Sequence, residues 1–278
     1  MNYTIVGVHG VGNYSDAKND ADRARSWTAH LLKAFEGTFP FDLELTIAYY
    51  APALHLAARQ SQLRLEQIPP NVQVDIWSWL LASGIPSNNA QGYATKPIRQ
   101  GLEWLANHFH LDHKALEAFV TQFFSEVHVY FSPRHSERRT SACRIVADAI
   151  EDNKPNAIIA HSLGSIVAYE SLWNYASHEV DLFVTLGSPL ALPNVVYDRL
   201  KLPPVTAIHR KPPQVKHWVN IADPGDVISI LRPISNYFEG VDENLEPSIH
   251  PLDFHLLKHY LAVPELATVL TASWSPGG

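Results

Sequence analysis

Apolar and polar positions along the chain follow two alternating periods. Short apolar runs of strand type cover 3–8, 43–50, 157–160, 181–186 and 215–221, and in the second of these Leu45, Ile47 and Tyr49 alternate with polar neighbours. Between the runs, apolar residues recur at intervals of three and four. Ala24, Trp27, Leu31, Leu32 and Phe35 mark one face of a helix over about 21–35, closed by Gly37 and Pro40. Ile145, Val146, Ala149 and Ile150 mark a second over 138–150, and Val167, Ala168, Ser171 and Leu172 a third that runs on from Ile166. A last helix begins near Phe254, with Asp253 as its N-cap and Pro264 interrupting or restarting it. Strands alternating with helices predict an α/β fold in which a mainly parallel sheet is covered by helices on both faces.

The stretch from Ala51 to about Ser132 breaks this rhythm, because it is too long for a plain strand-to-helix connection. Helical patterns fall at 54–65, 74–81, 98–109 and 115–131, and the segment is rich in Trp77, Trp79, Trp104, Phe109, Phe119, Phe123 and Phe124. The expected architecture is one domain over 1–278 with a helical cap inserted at about 52–132. Much of that apolar stripe is expected to pack on the sheet as core.

Composition narrows the function classes. Of 278 residues, 46% are hydrophobic, which is ordinary for a globular protein. A net charge of −7 and the lack of a basic run argue against nucleic acid as a partner; 134–139 holds three arginines but also Glu137. Cys143 is the one cysteine, so no internal disulfide can form. The N-terminal residues read as a first strand and not as a signal peptide, and no stretch approaches a transmembrane span. The expectation is a cytoplasmic protein with no stable membrane insertion, with export by a signal-less route left open.

The candidate chemistry lies at the ends of the apolar runs. The run 157–160 ends in Ala160-His161-Ser162-Leu163-Gly164, and a helical pattern follows. This is the strand–turn–helix context of a nucleophile elbow, G-x-S-x-G with Ala in the first position. Small residues flank the serine because strand and helix backbones approach closely there. The first run ends in His9-Gly10-Val11-Gly12-Asn13. The oxyanion of an acyl-transfer intermediate needs preorganised N–H donors, and the Val11 and Leu163 N–H groups are the expected pair. The same glycines match neither G-x-G-x-x-G nor a P-loop. His9 reads as structural. His108, His110 and His113 lie near Asp112, yet their spacing brings no complete ligand set to one helix face, so no metal is expected. Further strand ends supply Gly187-Ser188-Pro189, then Asp223 and Asp226, then the late histidines, giving the chain order Ser, Asp, His.

With these motifs in view, the sequence resembles the α/β-hydrolase superfamily, and most closely its bacterial serine esterase or lipase-like members. The resemblance covers 3–50 and about 138–262 and rests on the His-Gly-Val-Gly loop, the Ala-His-Ser-Leu-Gly-Ser elbow and Thr185-Leu186-Gly187-Ser188-Pro189-Leu190. It implies Ser162 as nucleophile. In Trp218–Ile228 it implies Asp226 as the acid, with Asp223 shaping the turn before Pro224. In His255-Leu-Leu-Lys-His-Tyr-Leu261 it favours His255 as base, with His259 an alternate one turn deeper and His250 a weaker one. The implied activity is hydrolysis of a carboxylic ester, lipid or thioester through an acyl-enzyme, with a small-molecule substrate and no cofactor. A peptidase, an acyltransferase and a non-catalytic scaffold that binds a ligand or partner are the other readings.

Overall fold

A computed structural model describes residues 2–15, 19–55, 65–85, 95–202, 208–249 and 255–274. Asp16, most of the helical pattern at 54–65, the Pro203-Pro204 segment, His250, Asp253 and Phe254 lie outside the described residues. Strands β1 (Asn2–Val8), β2 (Asp42–Ala48), β3 (Ala157–His161), β4 (Val180–Leu186), β6 (Val215–Ile221) and β8 (Glu243–Leu245) form one sheet in the order β2-β1-β3-β4-β6-β8. Every pairing in it is parallel. Two-residue strands β5 (His209–Arg210) and β7 (Phe238–Glu239) pair apart from it. The α/β class expected from the alternating periods is the class observed.

The period-two alternation of the strands divides the core. Tyr3, Ile5, Ala157, Ile159, Leu182, Val184, Leu186, Val219 and Ile221 face α1 (Asp20–Ala34) and α9 (Pro264–Ser273). Val6, Val8, Ile158, Ala160, Phe183 and Trp218 face the other way, towards α6 (Ser136–Asn153) and α7 (Leu163–Asn174). The central strands β1, β3 and β4 are therefore buried on both sides and read as near-continuous apolar runs, whereas β2, at the sheet edge, is partly exposed and alternates.

Helices α2 (Ala51–Leu54), α3 (Pro70–Ala82), α4 (Thr95–Phe109) and α5 (His113–Phe131) share the second of these cores with α6 and α7. Polar ties fix them there. Tyr130 of α5 donates to Glu170 Oε2 of α7 at 2.6 Å, and Arg139 Nε of α6 donates to the same oxygen at 2.7 Å. Trp79 Nε1 of α3 donates to the Val227 carbonyl at 2.7 Å, so α3 is anchored beside the loop that follows β6. Among the described residues, no helix is long and apolar enough to cross a membrane.

Several elements differ in extent from the sequence reading. Helix α7 starts at Leu163 and not at Ile166, because the chain turns sharply at Ser162 itself. Strand β8 went unpredicted, since three residues are too few to display a period. The last helix starts at Leu257 rather than near Phe254, and Pro264 restarts it as expected, dividing it into α8 (Leu257–Tyr260) and α9 with the proline in the first helical position, where its missing N–H is not needed.

Candidate active site

The sheet order places a topological switch point between β1 and β3. From β1 the chain adds β2 on one side and then builds β3, β4, β6 and β8 on the other. Ligands in open parallel sheets bind beyond the carboxyl ends of strands at such a point. The loop after β1 and the turn after β3 meet there: a Cβ at Gly10 would lie 2.8 Å from the Ser162 Cβ. Gly164 lies closer still to β1, since a Cβ on it would sit 2.3 Å from the His9 carbonyl oxygen and 2.5 Å from that of Val8. Only glycine admits this approach of helix α7 to the backbone of β1.

Ser162 joins β3 to α7 with φ 55° and ψ −129°. A non-glycine residue there carries roughly 1–3 kcal/mol of backbone strain, which persists only where the surroundings enforce it. The enforcing bonds are present. Ser162 N–H donates to the Leu186 carbonyl at 3.0 Å, and the Ser162 carbonyl accepts from the Ser165 N–H at 2.9 Å and the Ser165 hydroxyl at 2.6 Å. The Ser165 hydroxyl also meets that of Ser188, after β4, at 2.7 Å.

Three side chains far apart in the sequence join in a line. His255 Nε2 lies 2.6 Å from Ser162 Oγ, and His255 Nδ1 lies 2.7 Å from Asp226 Oδ2. Ser162, Asp226 and His255 are 0%, 1% and 4% exposed, so water does not compete for these bonds. Tyr260 of α8 donates to Asp226 Oδ2 at 2.6 Å, and the Ile228 N–H donates to Asp226 Oδ1 at 2.8 Å. Burial alone would raise the Asp226 carboxyl. The His255 imidazole and the bonds from His255, Tyr260 and Ile228 outweigh burial and hold it below the usual carboxylate range. The Tyr260 phenol is pushed well above its ordinary value by burial and then by Asp226, so it stays a donor. An ionised carboxylate only accepts, which assigns a proton to His255 Nδ1 and leaves Nε2 to face the serine hydroxyl.

Two backbone features admit this line. His255 itself takes φ 71°, in the left-handed region. Gly187 takes φ 52°, and a Cβ on it would lie 2.8 Å from Asp226 Oδ2 and 3.1 Å from His255 Nδ1. Any side chain at that position would enter the contact between acid and imidazole.

The alternates occupy other places. Asp223 Oδ1 accepts from the Gly225 N–H at 2.7 Å and Oδ2 from the Ile249 N–H at 2.8 Å, so this carboxylate closes the turn after β6. His259 lies on α8, and the His30 imidazole of α1 is lowered first by burial and then by Lys33, Lys258 and His259 nearby. Val11 lies in the loop after β1, and Leu163 is the first residue of α7, directly after Ser162. His108 stacks on Trp104 with ring centroids 4.9 Å apart, and Asp112 caps α5 by accepting from the Ala115 N–H at 2.8 Å. Among the described residues, no group of three or more His, Cys, Asp or Glu side chains is placed to hold a metal.

No family model, curated protein or solved structure matches the chain.

The sequence reading passed over Tyr260, Phe119 and Phe123 as members of the site. Phe119 and Phe123 of α5 present ring contacts to His255 at centroid distances of 5.3 and 6.3 Å. Their helical spacing was visible, but it is the spacing of any core face.

Two further histidines flank the line. His9 is buried, stacks on Tyr50 at 4.3 Å, and directs Nδ1 at the Gly10 carbonyl at 2.9 Å. Burial pushes it down to about 4. His161 is held well below its ordinary value by burial and then by His255. Both are neutral in the folded protein at pH 7. Unfolded, each takes a proton near pH 6.5, so their contribution to stability is complete above that value and is lost as pH falls towards the folded one. For His9 the loss is of the order of 3 kcal/mol by about pH 4. Urea unfolding of the parent and of His9→Gln between pH 7.5 and 4.5 checks this: the parent is expected to lose more stability than the variant. Parallel curves for the two would show that His9 does not carry the effect.

Proposed function

We propose that the protein is a serine hydrolase of the esterase type, acting on a carboxylic ester or thioester through an acyl-enzyme on Ser162. The observation that carries this reading is the hydrogen-bonded line from Ser162 Oγ through His255 to Asp226, at the carboxyl ends of β3 and β6 beside the switch point. An elbow serine in strained backbone, an imidazole nitrogen facing its oxygen and a buried carboxylate behind that imidazole are the parts nucleophilic acyl transfer requires.

In this mechanism Ser162 Oγ attacks the substrate carbonyl while His255 Nε2 takes its proton. Asp226, held by Tyr260 and the Ile228 N–H, keeps the imidazole in its tautomer and stabilises the imidazolium that forms. The Val11 and Leu163 N–H groups receive the oxyanion. His255 then gives the proton to the leaving oxygen or sulfur, and a water activated by His255 releases the acid. All of these groups belong to the chain, and the reaction as written needs no cofactor.

The segment at 52–132 acts as a cap, and α5 contributes its cover. Apolar rings stand over the base, and Ser162 is fully buried beneath, which favours an acyl group that is itself apolar. With p-nitrophenyl esters, kcat/KM is expected to rise from acetate to octanoate. A flat or falling series would remove the apolar acyl site from the proposal. The reaction class itself is tested by labelling with a fluorophosphonate and mapping the modified peptide. Modification at Ser162 is the expected result, and a protein left unmodified would refute the reading.

A further inference from the structure

The loop after β1 is held from three directions. The Gly10 carbonyl oxygen meets His9 Nδ1 at 2.9 Å and accepts from Asn13 Nδ2 at 3.0 Å. The Val11 carbonyl accepts from the same Asn13 Nδ2 at 3.1 Å. The Gly12 N–H donates to Glu126 Oε1 of α5 at 2.9 Å. Both partners of Asn13 are carbonyl oxygens, which only accept, so the amide presents its NH2 to them.

A trans peptide is a rigid plane whose C=O and N–H point in opposite directions. The Gly10 carbonyl and the Val11 N–H share one plane, and the Val11 carbonyl and the Gly12 N–H share the next. Anchoring the Gly10 oxygen therefore sets the direction of the Val11 N–H. Anchoring both ends of the next plane restrains rotation about the Val11 Cα. The loop also lies against the elbow through Gly10, whose Cβ would meet that of Ser162 at 2.8 Å.

Glu126 does not stand alone on its helix. Phe119, Gln122, Phe123 and Glu126 fall at i, i+3, i+4 and i+7, one stripe of α5. The two phenylalanines bear on His255, Gln122 Nε2 donates to Glu126 Oε1 at 3.3 Å, and Gln122 lies against Gly12. One face of α5 thus touches the imidazole at one end and the loop after β1 at the other.

The geometry points to Asn13 and Glu126 as positioning residues that hold the Val11 N–H aimed at the oxyanion of the acyl-transfer intermediate. This rests on the hydrolase reading above. Neither residue touches the substrate in this role. Their value lies in preorganisation, since donors already aimed need no reorganisation when charge develops. Gly12 is exposed, so water can take over its N–H when the carboxylate is removed, and the fold does not depend on that bond.

The test uses the full chain with Asn13→Ala, Glu126→Ala and Glu126→Gln. Three quantities are measured: the second-order rate of fluorophosphonate labelling, the affinity of a trifluoromethyl ketone whose adduct carries an oxyanion, and kcat and KM for a p-nitrophenyl ester. Asn13→Ala and Glu126→Ala are expected to lower the labelling rate and the ketone affinity by about 10- to 100-fold, the scale of misplacing a reacting group by about an ångström. KM should stay within about two-fold, because the ground state does not use the oxyanion donors. Glu126→Gln keeps an acceptor for the Gly12 N–H and is expected to restore the labelling rate to within about three-fold of the parent. If Asn13→Ala does not fold, the two Glu126 variants decide the matter between them. A labelled parent with Glu126→Ala reacting at the parent rate overturns this inference alone. A parent that is never labelled overturns the hydrolase reading and this inference with it.

Discussion

Ser162→Ala is expected to abolish turnover while leaving the protein folded. The substitution deletes one oxygen, whose hydrogen bond is the 2.6 Å contact with His255 Nε2. In serine hydrolases, loss of the nucleophile is worth roughly 10⁶ in kcat, or about 8 kcal/mol of transition-state stabilisation. What survives is the residual rate from oxyanion binding and substrate positioning. The effect on stability is far smaller. A buried imidazole nitrogen is left without a partner, at a penalty of about 1–3 kcal/mol. Alanine must adopt the same φ 55° as the serine, so the strain of the elbow is unchanged. Kinetics with a p-nitrophenyl ester, read beside a thermal melt, separate the two effects. A folded variant that keeps activity within a few-fold of the parent would end the hydrolase reading.

Asp226→Asn is expected to lower kcat by about 10⁴-fold, while Asp223→Asn leaves it within a few-fold. The difference lies in what each carboxylate accepts. Asp226 Oδ2 faces two donors, His255 Nδ1 and the Tyr260 hydroxyl, and Oδ1 faces the Ile228 N–H. An asparagine keeps its carbonyl where the Ile228 N–H requires it and turns its NH2 towards His255. The imidazole then accepts at Nδ1 and carries its proton on Nε2, facing Ser162, where it cannot take the serine proton. Asp223 accepts from the Gly225 and Ile249 N–H groups, and an amide there weakens a turn without touching the imidazole. The expected loss at Asp223 is about 1 kcal/mol of stability, one hydrogen bond's worth. Measured kcat for both variants checks the assignment, and a larger loss at Asp223 would reverse it. The depressed Asp226 carboxyl adds a pH signature. Its contribution to stability is complete above the unfolded carboxylate value and is lost as pH falls through the lower folded one, so acid unfolding of the parent should weaken in Asp226→Asn.

The structure bears unevenly on the sequence reading. The strands at 157–161, 180–186 and 215–221 coincide with apolar runs because each is buried on both faces and flanked by residues that end it. Helices α4, α5 and α6 extend a few residues beyond their apolar patterns at the N-terminal end, where the added residues carry no large apolar side chain and periodicity is silent, and α3 begins at Pro70 with Val72 buried ahead of its pattern. Strand β8 and the pair β5 with β7 left no trace in the pattern. They are two or three residues long and exist through the partners they meet.

By itself the sequence determined what depends on near neighbours. The two periods specify which faces of strands and helices are apolar, and hence an α/β fold. The tight spacing of Ala160, Ser162 and Gly164 specifies a strand–turn–helix, because only small residues let those backbones approach. Tertiary structure alone decided what depends on contacts between distant positions. Ser162 and His255 are 93 residues apart, His255 and Asp226 29, and Gly12 and Glu126 114. No periodicity records such distances; they follow from the order of strands in the sheet and from the way α5 packs. Asp223 and Asp226 carry the same functional group, and so do His255 and His259, so the sequence favoured Asp226 and His255 only through the family resemblance. One of each pair joins the line through Ser162 because the turn after β6 and the left-handed φ of His255 aim those two side chains at the end of β3.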